Sequence, residues 1–192
     1  SHARAGCSAR CLVGGSTWDD PVRWTGMGVD PDPNASTAKN RLPGDVFSWH
    51  PDLIIFHVLT DYKEDYALLM AGFTSGCAAF AGDPRESVHC TPGVDDAGYV
   101  PPQVLVQTDP RTTEESYPTA SAWKTDINEV FVPGEVTSHG YVLADNWMDW
   151  KGFLDHTGIP RTDLELSPGN IHFSPQGHQL MTKTTAQHLC YP

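Results

Sequence analysis

The chain has 192 residues, 39% hydrophobic and 19% charged, a balance suited to one folded domain spanning residues 1–192 and too apolar for a disordered chain. With 24 acidic against 12 basic residues the formal net charge is -12, which opposes a phosphate backbone, so no nucleic-acid partner is expected. No apolar run approaches the roughly 20 residues that a bilayer-crossing helix needs, so no membrane span is expected in this chain.

Four short apolar runs bounded by turn residues read as strands: Arg10-Cys11-Leu12-Val13, then Leu53 to Val58, Val104-Leu105-Val106, and Tyr141-Val142-Leu143-Ala144. They lack polar alternation, as strands buried on both faces do, and the intervals between them can hold crossover helices. Helices are predicted over Lys63 to Phe73, Thr119 to Phe131 and Ser174 to Leu189. The last is the best marked, with Ser174 as N-cap, Pro175 at the first helical position and Leu180, Met181 and Leu189 roughly in phase. Asp30 to Gly44 and Gly82 to Pro102 are rich in Gly, Pro and Asp and read as loops. The pattern predicts an α/β domain with a parallel sheet of about five strands and helices on both faces, its ligand crevice at the carboxyl ends of the strands.

The five cysteines show no C-x-x-C spacing, which argues against a zinc ribbon or a thioredoxin-type redox pair. Cys77 and Cys90 bracket the second loop and are expected to close it. Cys7, before the first run, is paired with Cys190 at the end of the last helix, leaving Cys11 buried and free. Disulfides, together with the sequon Asn34-Ala35-Ser36, point to a secreted or extracellular protein.

Two segments carry chemistry. The first run leads into Gly14-Gly15-Ser16-Thr17, a flexible turn able to present a hydroxyl at the edge of a sheet. A hydroxyl is a poor nucleophile unless a base lies within hydrogen-bond reach, and among nine histidines His172 stands out, in a loop leading directly into the C-terminal helix. The chain shows no H-E-x-x-H, no phosphate loop and no dinucleotide fingerprint, so neither a metal nor a cofactor is expected. Most of the six tryptophans read as core, including Trp147 and Trp150. Trp18, two residues from Ser16, is the candidate to line an acyl or sugar pocket.

The strand-Gly-Gly-Ser turn and the segment Ile171-His172-Phe173-Ser174-Pro175-Gln176-Gly177-His178 resemble the first and fifth blocks of the SGNH (GDSL-type) serine hydrolases. Pro51 to Ile55 and Val142 to Asp145 match strands of that family, so the resemblance runs from residue 9 to 189. It implies a flavodoxin-like three-layer sandwich with strand order 2-1-3-4-5, Ser16 as nucleophile and His172 as base. It also implies an oxyanion hole from the backbone N–H groups of Ser16 and Gly28, Gly26 being the alternative, with Thr60 in support. Three positions depart from the family pattern. Gly15 replaces the first-block aspartate. Thr60, in Val58-Leu59-Thr60-Asp61, stands where the family has its oxyanion asparagine, and a lost donor there typically costs on the order of 100- to 1,000-fold in turnover. Gly169 stands where the family has the triad acid, leaving Asp163, Glu165 or a backbone carbonyl to orient His172.

The expected activity is hydrolysis of a carboxylic ester, on a small molecule, a glycan or a lipid-like ester, through a Ser16 acyl-enzyme with His172 as base. Two other readings remain: acyl transfer to a sugar hydroxyl, and a degenerate module that binds glycan or a protein partner without catalysis.

Overall fold

A computed structural model describes residues 9–14, 40–57, 63–85, 88–110, 126–167 and 172–190, with the backbone alone for Arg10, Cys11 and Cys190. Contacts sort the chain into two compact units, residues 1–54 with 58–103, and residues 55–57 with 104–192. Cys7 lies outside the described residues, and the side chains of Cys11 and Cys190 are not described, so the Cys7–Cys190 pairing and the free state of Cys11 fall outside them as well.

In the first unit the run predicted to open the sheet is helical instead: α1 spans Ala9–Leu12. The Val13 amide donates to the Ala9 carbonyl at 3.1 Å, and Ala9 and Val13, one turn apart, are both buried. A four-residue apolar run is too short for its period to separate helix from strand, and here local i to i−4 bonding and packing against the helix Lys63–Ser75 decide it. A short helix α2 (Leu42–Asp45) follows, with Pro43 in its first turn and the Asn40 side chain accepting from the Leu42 amide at 3.1 Å. A 3-10 turn, Phe47–Trp49, then lays the Phe47 ring 4.5 Å from that of Tyr99.

The helix α3 (Lys63–Ser75) buries Tyr66, Leu69, Met70 and Phe73 along one face, matching the predicted helix. It passes into a 3-10 turn, Gly76–Phe80, through Gly76 at φ +58, a conformation that glycine adopts without strain. The Asp96 carboxylate then accepts from the amides of Cys77 (2.8 Å) and Gly93 (2.5 Å). Cys77 and Cys90 form the expected disulfide. Inside the segment it closes, Arg85 grips Asp83 with two hydrogen bonds of 2.9 Å and also reaches the fully buried carboxylate of Asp65 on α3. Hydrogen bonding from Arg85 holds the Asp83 carboxyl below its usual range, and the same bonds raise the guanidinium.

A parallel three-stranded sheet runs in the order β1 (Leu53–Phe56), β2 (Gln103–Gln107), β3 (Val142–Ala144). β2 and β3 are in register at Leu105 with Val142, Val106 with Leu143 and Gln107 with Ala144. Only β2 shows the predicted unbroken burial, at Val104, Leu105 and Val106. β1 and β3 flank it and leave Leu53, Ile55 and Val142 exposed.

In the second unit a π-helical turn, Asp126–Phe131, continues into α4 (Val132–His139) and ends at Gly140 with φ +69. Residues 126–131 of the predicted helix are helical, residues 119–125 lie outside the described residues, and the helix runs on past Pro133 in the first turn of α4. Residues 146–157 form α5 (Asn146–Thr157), a helix that the sequence reading did not assign. Asp145 caps it by accepting from the Met148 amide, and Gly158 stops it. After a 3-10 turn at Arg161–Leu164 comes α6 (Pro175–Cys190), as predicted. Trp150, Leu164 and Met181 make the core of this unit, enclosed by Phe153, Leu154, Ile159, Phe173 and Leu180. Trp147 and Trp150 are buried as expected, whereas Trp49 is 66% exposed. Among the described residues no helix is long and apolar enough to cross a membrane.

Arg85→Met removes the cation beside a fully buried carboxylate, and a loss of about 3 kcal/mol in unfolding free energy is expected by urea titration. The pH dependence gives a second readout. A carboxyl whose folded value lies below its unfolded one (about 3.9) contributes stability that is complete above the unfolded value and disappears as pH falls through the folded one. The parent therefore loses stability below about pH 4, and the Asp83 share of that loss is absent from Arg85→Met.

Candidate functional site

The loop carrying His172 is built by backbone pairing. Glu165 and Phe173 form an antiparallel bridge, in which the Leu166 amide donates to the His172 carbonyl and the Ser174 amide to the Leu164 carbonyl, both at 2.9 Å. Bonds on either side of the bridged residues mark a narrow pair whose side chains share one face, so the extended-chain alternation turns His172 the other way. Ser174 completes the brace. Its hydroxyl donates to the Asp163 carbonyl at 2.8 Å and accepts from the Gly177 amide at 3.2 Å, while its carbonyl accepts from the His178 amide at 2.9 Å. The predicted N-cap of α6 thus also ties the helix to the segment before the loop.

Phe173 anchors the loop in the core, its ring 5.1 Å from Trp150 and edge-on to His178 at 5.5 Å. His178 is itself exposed, and this edge-on contact is what it makes with the loop. Gly177 is the closest approach: a Cβ there would stand 2.4 Å from the Leu164 carbonyl oxygen and 3.1 Å from both Phe173 Cβ and Trp150 Cη2. His172, whose carbonyl accepts from the Leu166 amide, is exposed.

Of the two candidate acids, Asp163 is exposed. Glu165 is half-buried on the Phe173 face, with Oε1 3.7 Å from Nε of Arg161, whose guanidinium also reaches the Pro110 carbonyl and lies over the Trp150 ring. Gly14, at φ +84, is described, and Gly15 is not. Ser16 itself, Trp18, Gly28, Thr60 and Gly169 lie outside the described residues.

A second constellation, absent from the sequence reading, occupies the carboxyl ends of the strands, where an open parallel sheet places its ligands. Thr108, just beyond β2, donates to Asp145 Oδ1 at 2.9 Å and accepts from the Trp147 amide at 2.8 Å. The side chain of Asn128, 2% exposed in the π-helical turn, accepts from the Asp109 amide and donates to the Asp109 carbonyl, both at 3.0 Å. The Asp109 carboxylate then lies 4.0 Å from Nε2 of His57, the residue after β1. A polar residue following each apolar run was the available signal, but His57 is embedded in Leu53 to Val58 and reads as strand interior.

A groove of about 480 Å³ opens beside this constellation, lined by His57, Gln107, Phe173 and the α6 residues His178, Met181, Thr182, Thr185, Ala186 and Leu189. Among the described residues Cys77, Cys90 and Asp95 are the one group close enough to share a metal ion, but sulfurs joined to each other offer no thiolate. Comparison of the chain with protein-family models, curated proteins and solved structures finds no match.

Because the Leu164 carbonyl blocks a side chain at position 177, Gly177→Ala is expected to cost about 1–3 kcal/mol by overpacking. Proton exchange at the Leu166 and Ser174 amides should accelerate with it, which hydrogen-exchange mass spectrometry measures; unchanged protection would show that the loop is held independently of α6.

Proposed function

We propose that the chain is a serine hydrolase of the SGNH type that cleaves a carboxylic ester, with Ser16 as nucleophile and His172 as base. The observation that carries this reading is the mounting of His172: an exposed imidazole on a peptide braced by the bridge at Glu165 and Phe173 and by the Ser174 cap of α6. A base that must meet a hydroxyl from a distant part of the chain benefits from such a mount, since misplacement costs rate steeply.

In the proposed reaction the Ser16 hydroxyl oxygen bonds to the ester carbonyl carbon while His172 takes its proton. The backbone N–H groups of Ser16 and Gly28, supported by the Thr60 hydroxyl, hold the resulting oxyanion. Collapse breaks the bond to the alkoxy oxygen, which leaves as the alcohol with the proton from His172. Water then attacks the acyl-enzyme by the same route in reverse, releasing the acid and restoring Ser16. The parallel three-stranded sheet β1-β2-β3 is what the α/β part of this proposal rests on, and because the run meant as the first strand is the helix Ala9–Leu12, the 2-1-3-4-5 order is not carried over with it. The Cys77–Cys90 disulfide suits an oxidising compartment, so we assign the protein to the secreted class and its substrate to small-molecule or glycan esters.

One observation favours a second reading. Glu165 is engaged with Arg161 on the face turned from His172, which, with Gly169 in the acid position, fits a degenerate module that binds a glycan or a protein without turning it over. Transfer of the acyl group to a sugar hydroxyl in place of water uses the same acyl-enzyme and is separated by product analysis.

Ser16→Ala and His172→Gln should each lower hydrolysis of 4-nitrophenyl acetate at least about 1,000-fold, and a fluorophosphonate probe should label the parent but not Ser16→Ala. Equal rates in parent and Ser16→Ala overturn the assignment, and a parent that neither labels nor turns over establishes the binding module.

A further inference from the structure

The loop closed by the Cys77–Cys90 disulfide is also held by bonds that involve no sulfur. On the Cys77 side, the Asp96 carboxylate accepts from the Cys77 amide at 2.8 Å and from the Gly93 amide at 2.5 Å. On the Cys90 side, the Asp95 carboxylate accepts from the Thr91 amide at 2.7 Å, and the Thr91 carbonyl accepts from the amides of Val94 and Asp95 at 3.1 and 3.0 Å. Between the two cysteines Arg85 ties the segment to α3 through the buried Asp65. These contacts outlast a cut between the sulfurs, so the two cysteines stay neighbours in the reduced chain.

We infer that the reduced loop is a binding site for a zinc-like divalent ion, held by the Cys77 and Cys90 thiolates and the Asp95 carboxylate. The site is independent of the ester reading and goes beyond it. The ligand atoms of the three residues lie within 4.8 Å of one another, and the group runs from buried Cys77 through half-buried Cys90 to exposed Asp95, which gives an ion a way in from solvent. A tetrahedral zinc with bonds of about 2.3 Å holds its thiolates about 3.8 Å apart. Side-chain rotation supplies that separation while the two α-carbons remain 5.1 Å apart. Two sulfurs and one oxygen, with water in the fourth position, suit zinc, cadmium or cobalt and not calcium or magnesium, which take oxygen ligands.

The reductant is a dithiol. Its thiolate attacks the more accessible Cys90 sulfur, Cys77 departs as a thiolate, and the second thiol of the reductant closes its own disulfide and frees Cys90. Two electrons and two protons thus pass to the protein. The ion then takes the place of the two thiol protons, which leave to solvent. Disulfide and metal are therefore alternative clasps on one loop, the first for oxidising surroundings and the second for reducing ones.

Cobalt(II) tests the site, because thiolate ligation gives an ultraviolet charge-transfer band and tetrahedral geometry gives intense visible bands. The full chain is reduced with dithiothreitol, freed of it by anaerobic gel filtration and titrated. Both signals should grow to one cobalt per chain, zinc should bleach them, and the oxidised chain should show neither. The same is expected of a chain carrying Cys7→Ser, Cys11→Ser and Cys190→Ser, which removes every other thiol. Adding Cys90→Ser or Asp95→Asn should weaken binding at least about tenfold, since even partners outside the coordination sphere are worth that much. Asp155→Asn, at an exposed carboxylate on α5, should leave it unchanged. The same substitutions made in the parent keep the test decisive if the serine chain does not fold. A reduced chain that gives no thiolate band, binds cobalt as tightly with Asp95→Asn, or takes it up only between two copies overturns the inference. So does a reduced chain that loses its far-ultraviolet circular dichroism, because the scaffold around the cysteines would then depend on the disulfide.

Discussion

The carbonyl of Leu164 is the point on which the His172 region depends. It accepts from the Ser174 amide, and it lies so near the first turn of α6 that only a residue without a side chain fits at position 177. These two contacts set the register of the Glu165–Phe173 bridge, and the register in turn decides that Phe173 faces Trp150 while His172 faces outward. The Phe173 ring is partly buried, so it holds the loop by less than the roughly 1.5–3 kcal/mol of a fully buried phenylalanine. The imidazole is therefore positioned by the packing of the residue next to it in the chain.

A polar layer does comparable service at the strand ends. Thr108 is nearly inaccessible, yet its hydroxyl has both a donor and an acceptor partner, and Asn128 matches the amide and the carbonyl of a single residue. Satisfied in this way, buried polar groups restrict the backbone to one arrangement, whereas an unmatched one would cost about 1–3 kcal/mol. The π-helical turn has a use in this setting, since its wider winding is what carries the Asn128 amide across to Asp109. Asp109 is consequently directed by groups that never touch His57.

How far the sequence could be read varied with the length and strength of the local signal. The strand at Val104-Leu105-Val106 was plain because a central strand is buried on both sides, and α6 was plain because Ser174, Pro175 and a long helical period agree. Arg10 to Val13 was misread for want of length: four apolar residues suit a helical turn as well as a strand. The helix α5 is hard to read although Asp145 and Gly158 mark both of its ends, because between Trp147 and Phe153 its apolar positions are few and interrupted by Asp149, Lys151 and Gly152. The Cys77–Cys90 pairing followed from the loop those residues bracket. His57 and Asp109 were illegible for a different reason, since nothing local marks two residues that meet only when neighbouring strands align. Of the proposed catalytic groups His172 can be placed, and its mounting rests on Gly177, whose significance no single-residue pattern reveals.

The segment between α3 and β2 is tied down twice, by chemically unrelated means: a covalent bond from Cys77 to Cys90, and an ionic knot joining Asp65, Arg85 and Asp83. A reductant severs the first and leaves the second, while strong acid dissolves the second and leaves the first. Neither insult alone frees the segment, so loosening it takes reducing and acidic conditions together.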